Sequence, residues 1–591
     1  MTTKHYLLLL LIVLFAGGLR FTGLNWDAKS HLHPDERFLT MVASSITLPS
    51  TIMTYFDTTA SPANPHNRGF SFYVYGTYPL HGTKLVARLL HRDTYDEIVL
   101  IGRALSGVAD LITVILVFCI GAHLTKRNEA GLLAALCYAL AVVPIQLSHF
   151  FTVDPYVTLF ITIALWHILR GRIGFFTGVA IGLAISAKIS AILILPVLFL
   201  CLISLWPWRG NTPAIVKKRK LVLIGGFLSL VGLLLTVRVS YPYLFSGLHL
   251  NPLLLANWKQ LASFDGPTTS FPPGLQWVNV SPLQPALDLI VFGLGLPLST
   301  LACMSIIRLA LAFWKKPRWN PMFFLVLWVF FIFGYQSLQF AKPMRYFWAA
   351  YPSLAVFAGI TLYQLLRFIS HKIRARYVGQ LVNVFMCASL FLWPLSFVSM
   401  YSRPHTRVAA STWIFTHVPP QSTIAWEHWD DPLPFAIAPY TPSSYTQIQL
   451  PSFDPDDAEK IQKIQNVLTR ADYLILSSNR AYGSLKRAGA RFPLTNRLYQ
   501  RLFSGALGFD LVAQFTSRPM VPVPGVSLCI PIPGFSYGST SASLETCPTN
   551  GIHIIDDYAD ETFTVYDHPK VLIFRNTQHL SPSEITTRLH E

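Results

Sequence analysis

The run Lys4-His5-Tyr6-Leu7-Leu8-Leu9-Leu10-Leu11-Ile12-Val13-Leu14-Phe15-Ala16-Gly17-Gly18-Leu19-Arg20-Phe21-Thr22-Gly23-Leu24 decides between two kinds of protein. A lone basic residue ahead of an apolar core has the charge and length of a signal peptide, which would leave a secreted chain. No small-residue cleavage pattern follows, and comparable apolar runs recur downstream. The run is therefore expected to be the first membrane-spanning helix.

Composition agrees with a polytopic α-helical membrane protein. Of 591 residues, 52% are hydrophobic and 13% charged, with mean hydropathy +0.44, too apolar for a soluble multidomain chain. Further spans are predicted near 98–122, 129–148, 154–170, 173–187, 189–206, 221–240, 285–312, 321–340, 345–367 and 379–399. With the first they make about eleven, a few of them short or tilted. The run 173–206 is divided at Lys188 because it is too long for one ordinary span.

The formal charge of +17 requires no nucleic acid. Basic residues cluster in short segments between apolar runs: Lys126-Arg127, Arg170 with Arg172, Arg209 with Lys217-Lys218-Arg219-Lys220, Lys315-Lys316 with Arg318, and Lys372 with Arg374 and Arg376. With a cytoplasmic N-terminus, every such cluster faces the cytoplasm, as expected of a plasma or inner membrane protein, and the C-terminus lies outside.

That topology gathers isolated ionisable residues on the outer face. They are Asp35 and Glu36 in loop 25–97, His149 and Asp154 in the next outer turn, Lys188 at its break, and Lys342 and Arg345 before a late span. Loop 241–284 lies on the same side. Charge beside a span is costly, so such residues tend to be paired or functional.

The stretch Ser30-His31-Leu32-His33-Pro34-Asp35-Glu36-Arg37 holds two carboxylates and two imidazoles. Pro34 suits a first helical position, and Phe38, Leu39, Val42 and Ile46 follow at helical spacing. An amphipathic helix over 34–46 is expected along the membrane, with a second over 82–91. Tyr73-Val74-Tyr75-Gly76-Thr77-Tyr78-Pro79 between them offers aromatics to an interface, a sugar or a lipid.

Asp35 is the candidate general base toward a hydroxyl, with Glu36 orienting it or binding acceptor or metal. The competing explanation is that acidic residues in a first helical turn complement the helix dipole. Arg345, Lys342 and Lys188 are candidates to hold a phosphate, Arg345 with the best fork for it; their alternative is positioning helix ends. Asp154 is either a second site acid or a helix opening before Pro155, and His149 either supports that turn or binds a ligand.

After Tyr401 the spans cease. Strands are expected at 424–426, 473–477, 511–515 and 571–574, and helices at 455–470 and 495–506, so 401–591 is predicted to be an extracytoplasmic α/β domain behind a membrane domain of residues 1–400. Within it, Trp426-Glu427-His428-Trp429-Asp430-Asp431 is expected to be a solvated loop and Asp567-His568-Pro569 a turn. Five cysteines, Cys119, Cys137, Cys201, Cys303 and Cys387, lie in apolar runs without metal-ligand spacing. For Cys529 and Cys547, spacing does not choose between a disulfide and two free thiols.

The pattern resembles the GT-C glycosyltransferases, especially the protein O-mannosyltransferase and aminoarabinose-transferase group (glycosyltransferase family 39-like) of bacteria or archaea. The resemblance spans roughly residues 1–400 and rests on Asp35-Glu36, the turn ending in Asp154, Gly182-Leu183-Ala184-Ile185-Ser186-Ala187-Lys188 and Arg345-Tyr346. It implies inverting transfer of a sugar from a polyprenyl-phosphate carrier to an acceptor hydroxyl or amine on the outer face. Asp35 would then be the base, Glu36 and Asp154 would be in the site, and His33, Tyr75, His149, Lys188, Lys342, Arg345 and Tyr346 would meet substrate. A protein, lipid or glycan is the expected acceptor, membrane lipid the surroundings, and a divalent cation (Mg or Mn) is left open, since some GT-C enzymes use one. No sugar-binding trefoil pattern is evident in the tail, which weakens the case for a protein acceptor. Two rivals remain: a transporter or flippase of lipid-linked precursors, and a non-catalytic membrane assembly factor.

Overall fold

The computed structural model describes residues 2–315, 320–372 and 376–590. Lys316, Arg318 and Arg374 of the predicted basic clusters lie outside the described residues. A helix stands at each predicted span. These are α1 (Thr3–Phe21), α4 (Tyr95–Thr125), α5 with α6 (Asn128–Ala139 and Val142–Ser148), α7 (Asp154–Leu169), α8 (Phe175–Ala187), α9 (Leu195–Leu205), α10 (Pro213–Ser240), α11 (Leu296–Lys315), α12 (Met322–Leu338), α13 (Tyr351–Lys372) and α14 (Arg376–Val398). Outside the spans, α2 (Pro34–Ser45) and α3 (Tyr78–Leu89) occupy the first long loop. Among the described residues six helices are long and apolar enough to cross a membrane, the bent pair α5–α6 is so when its two parts are taken together, and α7, α8, α9 with its preceding turn, and α12 are shorter and apolar. The chain is a polytopic helical membrane protein with a C-terminal sheet region.

Two predicted spans are not single rods. The pair α5–α6 bends by 61°. Pro144 has no N–H to offer Leu140, so the ladder breaks where the bend occurs. The run 285–312 divides into a short helix (Gln284–Asp288), a wide turn (Leu289–Gly293) and α11, with Gly295 at φ +82 reversing the backbone between them. The division at Lys188 is present: α8 ends at Ala187 and Lys188 is extended, at φ −152 and ψ 126.

Buried ion pairs tie the helices of this apolar body together. Arg20, fully buried in the last turn of α1, donates to Asp110 of α4 at 2.6 Å and to the Ala139 carbonyl of α5 at 3.0 Å, while the Tyr138 hydroxyl donates to Asp110 at 2.5 Å. Without these partners a buried guanidinium would cost several kcal/mol, on the order of the desolvation of one ion. Helices α8 and α10 approach backbone to backbone: a Cβ on Gly178 would sit 1.8 Å from the Ser229 carbonyl oxygen, so glycine is required there.

The C-terminal region is built on β1 (Thr423–Glu427), β2 (Thr446–Leu450), β3 (Tyr473–Leu476), β4 (Phe509–Phe515), β5 (Met520–Val521), β6 (Ser527–Pro531), β7 (Gly551–Ile555) and β8 (Val571–Asn576). The main sheet runs β2-β1-β3-β8-β4, parallel across β2-β1-β3 and antiparallel across β3-β8-β4; β5, β7 and β6 form a smaller one. The central strands β3 and β8 are buried on both faces. Tyr473, Ile475, Val571 and Ile573 face the helix Thr406–His417, and Leu474, Leu476, Leu572 and Phe574 face the helices Ala458–Arg470 and Pro493–Phe503. That double burial explains their unbroken apolar runs. Cys529 and Cys547 form a disulfide.

This region is locked to the membrane body rather than hung from it. Ala559, Phe563, Val565 and Tyr566 pack into the same core as the helices. Asp430 and Asp431 are not solvated, as sequence suggested, but take Arg407 at 2.7 Å each, and Asp431 also takes Arg37 of α2 at 3.0 Å. His568 is likewise more than a turn residue. Its ring lies between Asp556 (3.0 Å) and Asp567 (2.5 Å), and Asp567 also accepts from Tyr401 and from Gln146 of α6. Burial pushes the His568 imidazole down, but the two carboxylates outweigh it and raise it to about 10.

Candidate active site

The start of α2 sets the site. His33 is the N-cap, its Nδ1 accepting the Glu36 N–H at 3.3 Å, and Pro34 fills the first turn, so the carboxylates of Asp35 and Glu36 lie at a helix N-terminus. Neighbours in a helix point about 100° apart, and here the two acids face different surroundings.

Asp35 faces outward. Arg345 Nη1 donates to its Oδ2 at 2.6 Å, and the Tyr75 hydroxyl also bonds the carboxylate. Tyr75 is delivered by a tight docking of its loop on the end of α8. The Gly76 N–H donates to the Ala187 carbonyl at 3.0 Å, and a Cβ on Gly76 would meet the Ser186 carbonyl oxygen at 1.9 Å. Beside it Lys188 Nζ donates to Asp154 Oδ1 at 3.0 Å. Tyr346 joins the two ion pairs, its ring centre 4.6 Å from the Lys188 amine and 5.5 Å from the Arg345 guanidinium carbon. Tyr566, from the far end of the chain, covers Arg345 at 6.0 Å and His33 at 4.1 Å between ring centres.

The electrostatics follow from this packing. Burial pushes the Asp35 carboxyl up, but Arg345 and His33, with the hydrogen bonds from Arg345 and Tyr75, hold it well below the usual carboxylate range. Burial drives the His33 imidazole down to about 3, so the ring is neutral at physiological pH. The Arg345 Nε–H is buried and has no acceptor among the described residues.

Of the residues singled out in the sequence, Asp35, Asp154, Lys188, Arg345, Tyr346, Tyr75 and His33 come together. Three do not. Glu36 is fully buried in a separate cluster, where Arg103 donates to its Oε1 (2.5 Å) and Oε2 (3.0 Å) and the Phe151 N–H to Oε2 (2.7 Å). The same guanidinium grips Asp27 at 3.0 and 2.9 Å and the Leu24 carbonyl at 2.6 Å. Glu36 therefore anchors α2 to α4. His149 stacks on Tyr401 at 3.7 Å with its nitrogens against the carbonyls of Ile145 and Thr22, a joint between helices. Lys342 instead donates to the carbonyls of Val280 and Ser337, each at 3.4 Å. Arg103, Asp27 and Tyr566 are further residues of the site and its support; of these Arg103 carries a sequence signal, an arginine inside an apolar run, which demands a buried partner.

No group of three His, Cys, Asp or Glu side chains able to hold a metal is found among the described residues. Asp35 and Asp154 would have to surrender Arg345 and Lys188 to bind Mg or Mn, so the residues present do not fit a resident divalent cation.

Residues 93–240 match the family model of dolichyl-phosphate-mannose-protein mannosyltransferases. Over that segment, a quarter of its length, the chain is similar to this mannosyltransferase family. The matched segment runs from α4 through α10 and includes Arg103, Asp154 and Lys188, with Asp35 and Arg345 on either side of it. No curated protein sequence matches this chain. Similar solved structures include the oligosaccharyltransferase AglB from Archaeoglobus fulgidus in complex with an inhibitory peptide and a dolichol-phosphate (14% identity, 86% of this chain, 73% of that one, TM-score 0.49). ArnT from Cupriavidus metallidurans bound to undecaprenyl phosphate is also similar (13%, 82% and 95%, TM-score 0.46), as is the Saccharomyces cerevisiae O-mannosyltransferase Pmt1–Pmt2 complex bound to the sugar donor (20%, 45% and 36%, TM-score 0.33).

Proposed function

We propose that the protein transfers a sugar from a polyprenyl-phosphate-linked donor to an acceptor hydroxyl or amine at the extracytoplasmic membrane face, with inversion and with Asp35 as the general base. The observation that carries this is one carboxylate, Asp35, held by Arg345 at 2.6 Å, with a second cation, Lys188 on Asp154, joined to that pair across the Tyr346 ring. The family match to lipid-phosphate-dependent mannosyltransferases supports the same chemistry.

In the reaction, Asp35 takes the proton of the acceptor O–H or N–H as that atom attacks the anomeric carbon. The bond from that carbon to the phosphate oxygen breaks, and polyprenyl phosphate leaves. A phosphate needs little protonation to depart, so one base and neighbouring cations suffice where glycoside hydrolysis needs an acid as well. Attack opposite the departing phosphate inverts the anomeric centre.

The arriving phosphate competes with Asp35 for Arg345, whose spare Nε–H gives it a second contact. Once Arg345 turns to phosphate, the force holding Asp35 deprotonated weakens and its basicity rises. Donor binding thus readies the base. Asp154 keeps Lys188 in place, and Glu36, through Arg103, fixes α2. A cytoplasmic N-terminus and an outer C-terminal region (401–591) complete the proposal.

Arg345→Gln is expected to raise the donor KM by about 10- to 100-fold, the worth of a charge-assisted contact. It also shifts the acid limb of the kcat/KM profile upward, because burial of Asp35 is then uncompensated. An unchanged acid limb would show that Arg345 does not control Asp35. The class of activity is tested in vesicles holding the purified protein and a polyprenyl-phosphate sugar: acceptor-dependent release of polyprenyl phosphate, read by mass spectrometry, is expected. Movement of intact donor between leaflets without release would favour a transporter.

A further inference from the structure

Far from this site, α1, α5 and α13 enclose a groove of about 700 Å³, a volume typical of ligand pockets. Its walls are apolar, with Leu8 and Ile12 from α1, Leu132 and Leu136 from α5, and Leu366 from α13. Its polar end holds Arg367 and His371, in the last turns of α13. Arg367 rests on Tyr363, its guanidinium carbon 5.8 Å from the ring centre, and has no carboxylate partner among the described residues. The acid of the lining, Glu129, lies 3.5 Å from His5. Lys4, Lys126 and Arg127 stand exposed at the neighbouring ends of α1, α4 and α5.

The geometry points to a binding site for an anionic glycerophospholipid, one hydrocarbon chain in the groove and the phosphate at Arg367. Three helices apolar enough to lie in a bilayer present the groove, so hydrocarbon is what its walls meet. The excess of cations at its mouth selects a net negative headgroup over a zwitterionic one, which carries its own cation. The site is not the sugar donor's. Arg345 lies in the 3-10 turn Met344–Ala350 that leads into α13 and Arg367 lies near the far end of α13, a separation of roughly 30 Å at 1.5 Å per residue, so the two headgroup positions belong to opposite leaflets.

The test uses the full-length protein in mixed vesicles of phosphatidylglycerol and phosphatidylcholine, extracted gently and weighed by native mass spectrometry. Wild type is expected to retain phosphatidylglycerol preferentially. Arg367→Gln should lower that retention about fivefold, the effect of one cation near an anionic surface, and Arg367→Lys should restore it. Leu132→Trp, which fills the groove, should lower it while leaving Arg367 in place, and thermal melting confirms that each variant is folded. Equal retention of both lipids by wild type, no loss in folded Arg367→Gln, or preferential capture of added polyprenyl phosphate at this site would overturn the assignment.

Discussion

Asp35→Asn is expected to lower sugar transfer by about 10²- to 10⁴-fold, the usual contribution of a positioned general base. The amide is nearly the same size, can still accept from Arg345 and Tyr75, and sits on a side chain that is 29% exposed. Melting temperature and membrane insertion should therefore stay close to wild type while kcat falls. The outcome separates base from dipole complement. If Asp35 served only the helix N-terminus, removing its charge would cost a few tenths of a kcal/mol of stability, roughly, and leave kcat alone.

Arg103→Ala should be the most destabilising single change, by about 3–5 kcal/mol, because it strands two buried carboxylates, Asp27 and Glu36, that share one guanidinium. Thermal melting of the purified protein measures it. Arg103→Lys is expected to rescue little, since a single ammonium cannot serve Asp27, Glu36 and the Leu24 carbonyl from one planar fork. A further consequence is loss of transfer exceeding the loss of folded protein, as α2 and with it Asp35 lose their anchor on α4. A variant as stable as wild type would mean that Asp27 and Glu36 are neutral in the folded protein.

The membrane architecture was legible because a span is an unusually simple signal: about 20 apolar residues in a row, with no periodicity to interpret. The interruptions were only partly so. Lys188 announced its break by charge, whereas Gly293-Leu294-Gly295-Leu296-Pro297 was available to divide 285–312 and was overridden by the length of the apolar run. Pro144 equally foretold the bend between α5 and α6.

The site was legible as an order of charged residues on one face, and Asp35, Asp154, Lys188 and Arg345 do converge. What spacing could not supply was pairing. Asp35 finds Arg345 from 310 residues away, and Tyr566 arrives from a segment that looked like part of a remote domain. The adjacent acids Asp35 and Glu36 looked like one unit, although a helix turns consecutive side chains apart, and that alone argued for different partners. The buried polar clusters, Arg20 with Asp110 and His568 with Asp556 and Asp567, were hidden for the same reason. Each partner is ordinary in its own stretch and intelligible only in contact.

The most direct measurement of the central claim is the anomeric configuration of the product, read by NMR after wild type and Asp35→Asn act on an isotopically labelled polyprenyl-phosphate sugar and an acceptor. An inverted glycosidic bond, formed one for one with free polyprenyl phosphate and lost in Asp35→Asn, is the predicted result. A retained configuration, or full transfer by Asp35→Asn, would contradict single displacement with Asp35 as the base.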